Sequence, residues 1–137
     1  MIVQTQTTSF KAEVYQAVHN LLTDTIKIAL YTANASLDAD TTVYTTLNEV
    51  VASGYTAGGE IMTGVALNTS GYTVYVNWAN VSWSTIVTAR CALIYNASQG
   101  NKSIAVLDFG SDKTSTSTFT ITMPANTATS ALIRSSN

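Results

Sequence analysis

From residue 60 onward one pattern recurs: a short run rich in Val, Ile, Thr, Tyr, Phe and Trp, then a few residues of Gly, Asn, Asp or Ser. The runs lie at 60–67, 72–78, 85–95, 103–109, 117–123 and 131–134, with Asn68-Thr69-Ser70-Gly71, residues 96–102, residues 110–115 and Pro124-Ala125-Asn126 among the separators. β-Branched and aromatic side chains suit a pleated, half-buried surface, and the separators carry the residues that turns require. A helical crossover between parallel strands needs a dozen or more residues, which these separators lack. The pattern predicts a mainly β fold: an antiparallel β-sandwich or barrel, jelly-roll-like, of about seven strands.

The beginning of the chain reads differently. Phe10, Val14, Ala17, Val18, Leu21 and Leu22 recur on one stripe of a 3.6-residue period, which predicts one N-terminal amphipathic helix from Ser9 to Leu22 with the Ser9 hydroxyl as its cap. At Ile26, Ile28 and Leu30 the period becomes two, the mark of a strand with one buried face. Residues 32–42 read as an exposed loop, 42–53 are ambiguous between a short helix and a strand, and the glycines of 53–59 form a turn cluster. On 72–78 the residues Tyr72, Val74, Val76 and Trp78 alternate with Thr73, Tyr75 and Asn77, so both faces carry aromatics. The second face is either covered by another sheet or presented to a partner.

A chain of 137 residues is one domain's worth, and about two-thirds of its unfolded surface can be buried without a metal or disulfide. Only 10% of the residues are charged, against about 25% in ordinary domains, so 23 Thr and 14 Ser must carry much of the solvation. A net charge of -2, with six Lys and Arg scattered singly, offers no footprint for nucleic acid. No apolar run approaches the ~20 residues that span a bilayer, and residues 1–8 lack the basic start and apolar stretch of a secretion signal, so neither a membrane partner nor a leader is expected.

Chemistry-bearing motifs are sparse. Cys91 is the single cysteine and is expected to be a buried structural thiol. Asp108-Phe109-Gly110 matches the magnesium-holding triplet of protein kinases, but the glycine-rich loop, strand lysine and catalytic aspartate that this chemistry requires are missing; a strand ending at a glycine turn is expected instead. His19 has no second histidine for a metal site, and Asn34, Asp38 and Asp40 lack the loop glycine and closing glutamate of a calcium-binding hand. Glu49 and Glu60 are not marked as the facing pair that glycoside hydrolysis needs, and Gly58-Gly59 is not followed by the lysine of a phosphate-cradling loop. Five Asn-x-Ser/Thr sequons, at Asn34, Asn68, Asn80, Asn96 and Asn101, are read as loop residues of a hydroxyl-rich chain. No enzyme, cofactor or metal is expected.

Two blocks carry a resemblance. The first is Ser9-Phe10-Lys11-Ala12-Glu13 with His19, Asp24-Thr25-Ile26-Lys27-Ile28-Ala29-Leu30-Tyr31, and Gly54-Tyr55-Thr56-Ala57-Gly58-Gly59. The second is Ala89-Arg90-Cys91-Ala92-Leu93-Ile94-Tyr95-Asn96 followed by Ala105-Val106-Leu107-Asp108-Phe109-Gly110. In pattern and order they resemble a family of small virion structural proteins of tailed bacteriophages, over nearly the whole chain from about Ser9. The resemblance implies no catalytic residues. It implies a capsid decoration (cement) protein on the outer capsid shell, with the major capsid protein as partner, assembled as a homotrimer and located at the virion capsid surface. Residues 1–8 are then either an N-terminal arm anchored on a neighbour by Ile2 and Val3 or a frayed terminus, and 9–137 a single β-rich domain. Tyr75 and Trp83 complete the expected partner-binding set. The alternative is a tail fibre or tail-tip module that binds a receptor or glycan through Tyr44, Tyr55, Tyr72 or Trp83.

Overall fold

A computed structural model describes residues 1–136. In chain order the elements are β1 (Thr5–Gln6), α1 (Thr8–Tyr15), β2 (Ile26–Tyr31), β3 (Glu60–Ile61), β4 (Ala66–Ser70), β5 (Thr73–Asn77), β6 (Val81–Trp83), β7 (Thr88–Asn96), a 3₁₀ turn (Ala97–Gln99), β8 (Lys102–Thr114), β9 (Phe119–Ile121) and β10 (Ile133–Ser135). The fold is mainly β and every strand pair is antiparallel. The strands form a five-stranded sheet in the order β1-β8-β7-β2-β3, a three-stranded sheet β10-β5-β4 and a pair β6-β9. All three sheets are open, so the architecture is sandwich-like and the barrel alternative does not hold.

The central strands β2 and β7 are buried on both faces, which corrects the expectation of one buried face for 26–31. Ile26, Ile28, Leu30, Ala92 and Ile94 face a core shared with Val76, Trp83 and Phe119 of the smaller sheets and with Trp78, which follows β5. Ala29, Tyr31, Cys91, Leu93 and Tyr95 face the other way, onto Ala35, Leu37, Tyr44 and Ile2. Residues covered on both sides need not alternate in polarity, and Ile-Lys-Ile-Ala-Leu-Tyr and Cys-Ala-Leu-Ile-Tyr are nearly continuous apolar text.

The cover on that second face comes from Ala35, Leu37 and Tyr44 of the segment 32–59, which forms no helix or extended strand and whose Val50 and Tyr55 pack into the main core instead. The segment follows the edge of β2: Asn48 O accepts from Thr32 N–H at 2.9 Å, Leu30 O accepts from Val50 N–H at 3.0 Å, and Glu49 pairs with Tyr31 in an isolated bridge. Strand β3 continues this edge, pairing with Lys27 and Ile28. Gly59, at φ +77°, makes the junction: a Cβ there would lie 1.8 Å from Ile28 O, so only glycine lets the loop close onto β2.

The helix is shorter than its periodicity predicts, and its cap is Thr7, not Ser9. Thr7 is buried against β8, where its N–H donates to Ile104 O at 2.9 Å and its hydroxyl accepts from Phe10 N–H at 3.4 Å. The far end is a Schellman turn, with Val18 N–H donating to Glu13 O at 3.1 Å and Ala17 N–H to Val14 O at 3.2 Å. Ala17 occupies the left-handed position at φ +59°, where glycine is usual. The reversal carries His19 back under Phe10, with ring centroids 5.0 Å apart.

The strand runs shift in three places. The run at 60–67 breaks at Gly64, where the chain leaves the five-stranded sheet for the three-stranded one. The run at 85–95 starts at Thr88, and residues 81–83 form a separate strand. Residues 110–114, expected as a turn, extend β8, because Lys113 and Thr114 pair with Ala89 and Thr88 at the start of β7. The following Ser115 is also anchored, since its hydroxyl accepts from Val87 N–H at 3.0 Å and donates to Thr85 O at 2.7 Å.

Candidate functional site

The loop 32–59 is organised around one carboxylate. Glu49 is only 7% exposed. Its Oε1 accepts from the Tyr44 hydroxyl at 2.6 Å, and its Oε2 from the Tyr55 hydroxyl at 2.6 Å and Gly58 N–H at 2.8 Å. Tyr55 in turn accepts from Leu30 N–H at 2.9 Å, tying the loop to β2. Tyr95 donates to Gly58 O at 2.6 Å and stacks on Tyr44 with centroids 4.6 Å apart, while Tyr31 donates to Thr45 O at 2.5 Å. Burial, and the nearby Glu49 carboxylate, push all four phenols above their ordinary value, Tyr95 to about 12. Glu60, by contrast, stands exposed on the edge strand β3. Every oxygen of Glu49 is engaged by donors that hold the loop in place, so its role here is that of an internal staple.

A second polar chain sits behind the helix. The His19 ring, with a fully buried side chain, has Nε2 at 2.9 Å from Glu13 Oε1 and Nδ1 at 3.0 Å from Asn96 Nδ2. The Asn96 amide is oriented by its other contacts: Oδ1 accepts from Ser98 N–H at 3.0 Å, and Nδ2 donates to Asp24 Oδ2 at 2.8 Å. Nδ2 can only donate, so Nδ1 of His19 is the acceptor and Nε2 carries the proton given to Glu13. The Asn20 backbone N–H and the Asn96 amide hold the Asp24 carboxyl below the usual carboxylate range.

The other sequence candidates are structural. Asp108 accepts from Gly110 N–H at 2.8 Å and pairs with Arg90; these contacts lower its carboxyl, the backbone N–H foremost. Asp38 accepts from Asp40 N–H at 2.9 Å, and no cluster of three metal-ligating His, Cys, Asp or Glu exists among the described residues. Cys91 is buried, and burial pushes its thiol up to about 11.

Of the four residues expected at a partner surface, Trp83 is not there. It is 2% exposed within the main core, edge-on to Phe119, and its Nε1 finds no hydrogen-bond partner among the described residues. The strand Val81–Trp83 turns both of its large side chains inward when β6 pairs with β9, which the sequence does not display. Tyr75 is half-buried on the face of β5 opposite Val76, next to Arg134 of β10. Ile2 bridges in parallel to Leu37, and Val3 N–H donates to Leu37 O at 2.9 Å. Residues 5–6 add to β8, so the segment expected as an arm lies along its own domain in this chain. Of the four aromatics expected at a glycan site, Tyr44 and Tyr55 are committed to Glu49 and Trp83 is buried, which leaves Tyr72, 89% exposed at the β4–β5 turn, to present a full ring.

What the sequence reading missed is a groove of about 640 Å³ between α1 with its following turn and the three-stranded sheet. Register places Ile133, Val76 and Leu67 in one row across β10, β5 and β4, with Val74 beside them along β5. Phe10, Val76 and Ile133 are its buried floor, while Val14, Leu22, Leu67 and Val74 are 40–51% exposed on its walls. Tyr15, 91% exposed, stands at the helix end. The available signal was the helical stripe itself, which has more apolar positions than an eight-residue helix can bury. Lys11 and Arg134 are among its lining residues and no Asp or Glu is, but Arg134 pairs with Tyr75, so its side chain leaves β10 on the other face, and its Nε donates to Ala131 O at 3.2 Å. A second groove, of about 610 Å³, opens beside Phe109, Phe119, Met123 and Leu132.

Comparison with protein families, with curated proteins and with solved structures finds no match to this chain.

Proposed function

We propose that this protein works by adhesion as a structural component of a tailed-phage virion: a decoration protein bound to the major capsid protein on the outer face of the shell, and trimeric there. The observation that carries this reading is the gathering of half-exposed Val14, Leu22, Leu67 and Val74 along one groove, with Tyr15 beside it. Apolar side chains scattered singly over a surface need no explanation, whereas a contiguous set marks a contact surface. The polar groups with chemical potential point the same way, since Glu49, His19, Asp24 and Asp108 are taken up by internal hydrogen bonds. The phage resemblance of the two sequence blocks supplies the setting. A ligand that binds only the assembled lattice stabilises it by mass action, with no chemistry required.

The test is the amount of this chain in purified particles of the phage that encodes it, with its position mapped by electron cryo-microscopy. A copy number on the scale of the capsid subunits, with density outside the shell, is the expected result. A handful of copies at the tail would favour the second reading, a glycan- or receptor-binding module, for which exposed Tyr72 at a turn is the supporting feature. Absence from mature particles would defeat both.

A further inference from the structure

We infer that the outer edge of β4 is a self-pairing surface: it adds to β4 of a second copy of this chain, antiparallel and about a two-fold axis through Asn68. The edge is open. β4 pairs with β5 alone. Ser70 and Thr73 face each other across the two-residue turn Gly71-Tyr72, and alternation from that pair sends the N–H and C=O of Ala66, Asn68 and Ser70 to β5 and those of Leu67 and Thr69 outward. These outward groups have no backbone partner among the described residues, and residues 67–70 are exposed.

The edge also lacks the guards that the other edges carry. Folded chains blunt a free edge with charge, proline, a bulge or brevity. The outer edge of β8 beyond β1 is closed by side chains, with Asp108 N–H donating to Gln4 Oε1 at 3.1 Å and Gly110 N–H to Asp108 Oδ1 at 2.8 Å, and its pairing with β7 is irregular there. β3 is two residues long and carries Glu60; β10 is three residues long and carries Arg134. β4 has five residues in unbroken register with β5, and no residue from 61 to 89 is charged or proline.

Neutrality and register select the occupant. A charged segment laid on this edge would find no countercharge anywhere in 61–89, whereas a second β4 brings no charge to be matched. Turned antiparallel about Asn68, Leu67 of each copy exchanges both backbone hydrogen bonds with Thr69 of the other, Ala66 meets Ser70, and the two Asn68 side chains meet at the axis; a contact of this symmetry makes each interaction twice. The row Ile133–Val76–Leu67 then continues through Thr69 and Val74 of the second copy. The axis of such a pair is perpendicular to the sheet, so both grooves beside α1 open on the same side. Two grooves meeting one surface strengthen adhesion through effective concentration, and on a shell the contact would link chains of neighbouring trimers. That consequence rests on the adhesion reading above; the pairing itself does not.

The experiment is sedimentation equilibrium of the full chain up to about 1 mM, with cysteine cross-linking to read the register. A reversible dimer is expected. Thr69→Pro removes an outward N–H and costs no bond to β5, so it should keep the wild-type circular-dichroism spectrum and raise the dimer Kd by about tenfold or more. Asn68→Cys places two thiols across a non-hydrogen-bonded pair, with Cα atoms about 4.5 Å apart and within disulfide reach, and should cross-link under mild oxidation. Ser70→Cys, also exposed, should not cross-link alone but should do so when mixed with Ala66→Cys, and the wild type, whose Cys91 is buried, should not cross-link. A monomer at every concentration, an unchanged Kd in a folded Thr69→Pro, or Ser70→Cys cross-linking as readily as Asn68→Cys overturns the inference. If Thr69→Pro fails to fold, the cross-links decide alone. A trimer in solution without an Asn68→Cys cross-link also overturns it and speaks for a three-fold contact elsewhere. A dimer of the stated register in a protein absent from virions overturns the decoration reading and leaves the inference standing.

Discussion

Removing the Glu49 side chain is expected to loosen the whole segment 32–59, and with it the packing of Tyr44 on one face of the central sheet and of Tyr55 on the other. In Glu49→Ala the hydroxyls of Tyr44 and Tyr55 and the N–H of Gly58 lose their shared acceptor. A buried donor left unpaired costs about 1–3 kcal/mol; with partial rehydration of half-buried Tyr44, the sum is about 4 kcal/mol. Unfolding entropy of about 2.1 cal/mol/K per residue over this length converts that to a fall of about 14 °C in Tm. Glu49→Gln separates charge from geometry. Its carbonyl can serve Tyr55 and Gly58 while its amide turns to Tyr44, whose oxygen then accepts. The loss of charge-assisted bonding, partly offset by no longer burying a charge, leaves about 1.5 kcal/mol, or about 5 °C. Calorimetry of wild type, Glu49→Gln, Glu49→Ala and Glu49→Ala/Tyr55→Phe reads the series. The hub predicts that the double variant is less destabilised than the sum of its parts, because both changes remove the same bond. If Glu49→Ala melts within about 2 °C of wild type, or the double variant is additive, the carboxylate does not organise this loop.

Alkaline titration tests the same cluster from the phenol side. Tyr31, Tyr44, Tyr55 and Tyr95 hold their protons above the ordinary tyrosine value in the folded chain, so the unfolded state binds fewer protons above about pH 10 and stability falls as pH rises. The stabilisation is fully present below about pH 10 and is lost by at most about 1.4 kcal/mol per pH unit for each tyrosine; tyrosinate absorbance of these residues should therefore appear together with loss of the β circular-dichroism signal, and ionisation of all seven tyrosines in a chain that remains folded would contradict it. Replacing Ala17 by Gly at the left-handed helix end should raise stability by about 1 kcal/mol, or about 3 °C, in thermal melts; a lower Tm would mean that the Schellman turn is not formed. Both tryptophans are buried, so native emission should be blue-shifted and insensitive to acrylamide; ready quenching that persists in Trp78→Phe would return Trp83 to the surface.

Much of the β architecture was legible because period-two alternation and turn residues are local properties. The strands near 73–77, 102–109 and 119–121 lie where Val, Ile, Phe and Thr alternate between Gly, Asn or Pro, and neighbouring residues suffice to state this. Two-sided burial of β2 and β7 was also written there, as continuous apolar text. The alternation of Ile26, Ile28 and Leu30 obscures it only because Ala29 and Tyr31 are less hydrophobic than the residues they separate. The groove was half legible: Val14 and Leu22 stood on the predicted stripe, but nothing local says that Leu67 and Val74 would lie opposite.

By itself the sequence determined the fold class, the antiparallel connections, the single helix near the start, the scarcity of charge and the burial of Cys91. Each follows from side-chain period, turn stereochemistry or composition, which act over a few residues. Tertiary structure alone decided where the helix ends, which side Trp83 takes, that β8 runs on to Thr114, and that Tyr44, Glu49, Tyr55 and Gly58 meet in one hydrogen-bonded hub. Those outcomes depend on partners far away in the chain: Asn96 for His19, Ile121 and Phe119 for β6, Thr88 for Thr114 and Leu30 for Tyr55. A buried polar group must find its partner wherever the packed sheets bring one within reach, and that distance is set by the assembled fold rather than by spacing along the chain.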